Sequence, residues 1–138
     1  MTRDQIQQQL RTIFKDHLGA STGTTRGLVP QTVSAGKLFE AYVLSRVVER
    51  LALDEGYLLR LVGGNKIQLK SSPGPINRSY PRIELWRSGN CLAELWTDVE
   101  FLSLSYRSRT GSTLTKGDYH ELDILIVNAG VSGRPGKR

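Results

Sequence analysis

The stretch Tyr119-His-Glu-Leu-Asp-Ile-Leu-Ile-Val127 decides how this chain is read. Leu122, Ile124 and Ile126 alternate with Glu121, Asp123 and Leu125, which predicts a strand with two carboxylates on one side of an element otherwise suited to burial. Carboxylates rarely enter apolar surroundings uncompensated, so the pattern implies a bound cation, a basic partner or an exposed cleft. A second charge favours the cation. In the helix predicted from about Ala35 to Glu55, Glu40 lines up with Leu44, Val47 and Leu51, flanked by Val43 and Val48, which puts a charge in the middle of the stripe expected to face the core.

Working outward, Ser34 is a candidate cap for this central helix and Gly56 its stop. Ile6, Leu10, Ile13, Phe14 and Leu18 recur at helical spacing between a capping Thr2 and Gly19, which predicts an amino-terminal helix over residues 1–18. The connector 19–33 is rich in Gly, Ser and Thr, so the first helix is expected to be a mobile appendage. Beyond Gly56 the period becomes that of strands. Tyr57–Val62, a Gly63-Gly64-Asn65 turn and Lys66–Lys70 form one expected hairpin. Arg82–Arg87, the turn Ser88-Gly89-Asn90 and a long strand from Cys91 to about Ser105 form another. On that long strand Leu95, Val99 and Phe101 are expected on one side, with Glu94, Trp96, Asp98, Glu100 and Leu102 on the other. The core is thus placed at residues 34–128, followed by a basic Gly/Pro tail over 129–138.

The chain has 138 residues, 38% of them hydrophobic and 23% charged, which suits one globular domain. No apolar run is long enough to span a membrane, the amino terminus has no signal-peptide core, and the single cysteine, Cys91, cannot form an internal disulfide; a cytoplasmic setting is expected. Nineteen basic against thirteen acidic residues leave a net charge of +6, which favours an anionic partner such as nucleic acid. Half of that excess, Arg134, Lys137 and Arg138, lies in the tail. Arg78, Arg82, Arg107, Arg109 and Lys116, with Arg87, are the candidate nucleic-acid contacts. Two histidines and one cysteine exclude an ordinary structural zinc site. Cys91 with His120 as nucleophile and base is disfavoured because nothing places them together, and Trp86 and Trp96 are read as packing residues.

The order helix, antiparallel meander, acidic strand resembles the PD-(D/E)xK, or restriction-endonuclease-like, nuclease superfamily. Gly36-Lys-Leu-Phe-Glu-Ala-Tyr-Val-Leu44 resembles its helix element, and His120-Glu-Leu-Asp-Ile-Leu-Ile-Val127 resembles the strand carrying its metal-binding aspartate. The resemblance, over roughly residues 34–128, implies an α/β fold with a central helix on a mostly antiparallel mixed sheet, here with an extra amino-terminal helix. It implies a magnesium ion held by Asp123 and Glu40, with Glu121 assisting, and magnesium-dependent endonucleolytic hydrolysis of phosphodiester bonds in DNA. Magnesium suits that chemistry because it takes oxygen ligands, polarises a phosphoryl oxygen and orients water.

One departure from the family pattern stands out. After Asp123 no strand with E-x-K follows, and the charge stabilisation such a lysine supplies is worth roughly 3–4 kcal/mol in comparable sites. Three explanations stand: a truncated chain, with a homodimer partner, a further segment or another chain supplying the strand; a lysine from elsewhere, with Gln68-Leu-Lys70 the nearest imitation; or a non-catalytic module that binds nucleic acid or protein. The simpler readings of the acids are a first-turn Glu40 stabilised by the helix dipole, and Glu121 and Asp123 on a half-exposed sheet paired to arginines. Asp98 and Glu100 are read as an ordinary charged strand face ahead of any contribution to the acidic cleft.

Overall fold

The computed structural model describes residues 2–19, 35–64, 74–102 and 119–133. Among them the order is α1 (Arg3–Leu18), α2 (Ala35–Leu53), β1 (Leu58–Val62), β2 (Arg82–Arg87), β3 (Asn90–Leu102) and β4 (Tyr119–Asn128). The strands form an open antiparallel sheet in chain order, β1-β2-β3-β4. The architecture is α/β, and the four described strands are all antiparallel where a mixed sheet was expected. No helix of the described residues is long and apolar enough to cross a membrane.

Each helix ends where local chemistry dictates. The Thr2 hydroxyl accepts from the Gln5 N–H at 3.2 Å while the Gln5 side chain accepts from the Thr2 N–H at 2.7 Å, a reciprocal capping box. Gly19 closes α1 in the left-handed conformation. At the end of α2 the Tyr57 N–H returns to the Leu51 carbonyl at 3.0 Å, and Gly56 adopts the left-handed conformation at φ 73° that lets the chain turn back.

The expected mobile amino-terminal helix is instead part of the core. Leu10, Ile13, Phe14 and Leu18 of α1 pack in one cluster with Leu38, Ala41, Leu44 and Val48 of α2, Leu59 of β1, Ile83 and Leu85 of β2, and Leu95 of β3. Each of the larger side chains among them, once withdrawn from water, contributes about 1.5–3 kcal/mol. The buried stripe of α2 therefore centres on Leu38, Ala41, Leu44 and Val48, because this helix packs against both α1 and the sheet. Glu40 flanks that stripe instead of interrupting it. The opposite face of the sheet carries a second cluster, Ile76, Trp96 and Val99, with Leu125, Val127 and Val131 against it.

The Arg82–Arg87 hairpin forms as read, with Ser88 at φ 53° and Gly89 at φ 79° making a tight two-residue turn. The partner of β1 in the described structure is β2; the expected partner Lys66–Lys70 lies outside the described residues, as do the connector beyond Gly19, the continuation of the long strand past Leu102 and the tail beyond Gly133. Gly63 needs to be glycine on two counts: its φ is 80°, and an added Cβ would meet the Tyr80 carbonyl oxygen at 2.7 Å.

Residues 74–80 form a strap over the second face. Ile76 exchanges backbone hydrogen bonds with Gly133 at 2.6 and 2.9 Å. Arg78 clasps the buried Glu94 carboxylate with two bonds of 2.7 Å and donates to the Val131 carbonyl at 3.0 Å. Arg82 adds a 2.9 Å bond to Glu94, and the Gly130 N–H one of 3.1 Å. One internal carboxylate thus ties together the strap, two strands and the turn after β4.

Candidate acidic site

Glu40, Asp98 and Asp123 each bring a carboxylate oxygen to within 4.8 Å of the others. They come from α2, β3 and β4, so only the assembled fold brings them together. Register explains the strand pair: Thr97 faces Ile124 and Val99 faces Leu122, which sets Asp98 opposite Asp123. Asp123 is exposed, Glu40 half-buried and Asp98 fully buried.

Asp98 owes its position to a break in strand alternation. Leu95 faces the helices and Trp96 the other side, yet Val99 packs with Trp96, three positions away. In an uninterrupted strand those two side chains would point to opposite faces. Asp98 absorbs the change with φ 53°, a left-handed backbone that costs a non-glycine residue about 1–2 kcal/mol and that aspartate tolerates better than most. The expected grouping of Asp98 with Trp96 on one side is thereby corrected: its carboxylate instead meets α2.

Lys37 completes the cluster. Its Nζ donates to Glu40 Oε2 at 2.9 Å and to Asp98 Oδ1 at 3.3 Å. Burial acts to lower its pKa, but the hydrogen bond to Glu40 and the charge and hydrogen bond of Asp98 outweigh it and hold the ammonium above the ordinary lysine value. Sequence reading passed over Lys37 as a site residue. The available signal was its place one turn before Glu40, where side chains three apart are neighbours on a helix.

The other predicted site residues fall differently. Glu121 stands on β4 opposite Glu100, two positions from Asp123, and its side chain lies outside the described part. Arg78 and Arg82 are engaged with Glu94 inside the fold. Burial tends to raise the Glu94 carboxyl, but the Arg78 hydrogen bonds, the Gly130 N–H and the charges of both arginines hold it below the usual carboxylate range. Arg87 lies over the Tyr57 ring at 4.0 Å and donates to the Glu55 carbonyl. Arg107, Arg109 and Lys116 lie outside the described residues. Cys91 is paired with Trp86 near one end of β3 while His120 faces Phe101 near the other, so the two do not meet.

Three carboxylates from three elements form an oxygen donor set, which suits a hard cation better than a soft one. Comparison with family models, with curated proteins and with solved structures finds no match.

Proposed function

We propose that this chain is a restriction-endonuclease-like module for metal-dependent phosphodiester hydrolysis of DNA. The observation that carries the reading is the convergence of Glu40, Asp98 and Asp123 within 4.8 Å from a helix and two adjacent strands. Glu40, Asp98 and Asp123 would hold magnesium, which when bound polarises a phosphoryl oxygen and orients water. The chain's own residues do the remaining work. Buried Asp98 is fixed by the strand backbone, Asp123 presents its carboxylate at the solvent side, and Lys37 holds Glu40 and Asp98 in place. Lys37 also brings to the cluster an ammonium of the kind the family draws from its E-x-K strand.

A second reading, a non-catalytic module binding nucleic acid or protein, is favoured by one observation: Lys37 already compensates two of the three acids, as it would in a purely structural ion-pair cluster. A cleavage assay on duplex and single-stranded DNA with magnesium, run on the chain and on Asp123→Ala, separates the two. Hydrolysis that disappears without magnesium and falls about a hundredfold or more in the variant is expected, the scale of losing a principal electrostatic contributor. Cleavage equal in both proteins refutes the site, and DNA binding without cleavage supports the second reading.

A further inference from the structure

We infer that the strap at residues 74–80 is a positioning element for Asp98, holding its backbone in the left-handed conformation that turns the carboxylate toward Glu40 and Lys37; the inference rests on the reading of the acidic cluster as the working site. The pairing of β2 with β3 ends at Ile83 opposite Leu95, and among the described residues no named strand pairs with the same edge of β3 beyond that point. Gly74 occupies that edge. Its N–H donates to the Asp98 carbonyl at 3.2 Å, and its carbonyl accepts from the Glu100 N–H at 2.8 Å. These two bonds grip the chain on either side of Val99, immediately after the residue whose φ is 53°.

A left-handed aspartate inside a strand persists only where its surroundings over-determine it. The strap supplies that determination because it is itself anchored elsewhere. Ile76 is buried and bound to Gly133, and Arg78 is clasped by Glu94. The aspartate's orientation is thus linked to an ion pair on the opposite face of the sheet. Arg78 and Gly74 act here as positioning residues, through the Asp98 backbone and without touching the carboxylates.

Two substitutions test this on the full chain. Gly74→Pro removes the N–H that binds the Asp98 carbonyl, whereas Gly74→Ala keeps it, and a Cβ there meets nothing within 4 Å. Arg78→Met releases the second anchor while preserving an aliphatic stem. Ile13→Ala, a core change on α1, controls for general destabilisation. The readouts are the intraresidue amide-to-Hα NOE of Asp98, strong only in left-handed backbone, hydrogen exchange of the Glu100 amide, and manganese titration.

Gly74→Pro and Arg78→Met are each expected to abolish the left-handed signature, speed Glu100 exchange about tenfold and weaken manganese binding about tenfold, the scale of losing one well-made hydrogen bond. Gly74→Ala and Ile13→Ala are expected to leave the signature and the manganese affinity unchanged. The inference is overturned if Asp98 keeps its left-handed signature while Glu100 exchange accelerates, or if Ile13→Ala alters Asp98 as strongly as the strap variants do. Should manganese bind none of the proteins, the metal reading fails by itself, and the Asp98 signature alone still decides whether the strap positions that residue.

Discussion

Replacing Asp98 by asparagine is expected to weaken divalent-cation binding by about a hundredfold or more while the chain stays folded. The estimate follows from removing one of three anionic oxygen donors, a larger loss than the roughly 10–100-fold seen when only a supporting partner of a ligand is removed. Asparagine is the informative replacement because it nearly matches the shape of aspartate and also tolerates left-handed backbone. The strand therefore keeps its turn at φ 53°, and what changes is the charge. Manganese titration followed by paramagnetic broadening measures the effect, with thermal unfolding alongside. Unaltered affinity in Asp98→Asn would remove Asp98 from the site and leave Glu40 and Asp123 too few to define one.

The largest loss of stability is expected at Glu94. Truncation in Glu94→Ala strands Arg78, Arg82 and the Gly130 N–H, which now share one buried carboxylate, and breaking a buried pair from one side costs about 3–5 kcal/mol. That is a large fraction of the roughly 5–15 kcal/mol that holds a domain of this kind together. Urea unfolding measures it, and a loss below about 1 kcal/mol would show the network to be peripheral. The acid limb carries a second signature. Because the folded Glu94 carboxyl titrates below its ordinary range, its stabilisation is complete above the unfolded-state pKa and is lost as pH falls through the folded value. Glu94→Gln should accordingly flatten the decline in stability on the acidic side of that range.

Periodicity was enough to find both helices, the second hairpin and the acidic strand, because each element repeats its own pattern over several residues. It also selected Glu40 and Asp123, whose carboxylates approach within 4.8 Å. Asp98 ranked below Glu40 and Asp123 for a physical reason. Period-two alternation assigns its side chain to the face of Trp96, and a single left-handed residue reverses that assignment without disturbing the register on either side. Lys37 was hidden because a lysine on a helix resembles a solvated charge until the strand beneath it supplies a partner. Arg78 and Arg82 read as surface cations because the sequence does not show that Glu94, alternating with apolar neighbours, is buried. The integral role of α1 was obscured by its polar connector, whose composition says nothing about whether the helix beyond it docks.

The meander has a kinetic corollary. Each strand pairs with the one before it among the described elements, so much of the sheet can assemble through contacts close in the chain, the arrangement that folds fastest. Asp98 and Asp123 sit on adjacent strands and meet when β3 pairs with β4, whereas Glu40 joins them only through the packing of α2. With the sheet assembling ahead of the docking of α2, Glu40→Gln should move the unfolding limb of a chevron plot and leave the refolding limb in place, and a shifted refolding limb would mean that the helix carboxylate meets the strand pair before the barrier is crossed.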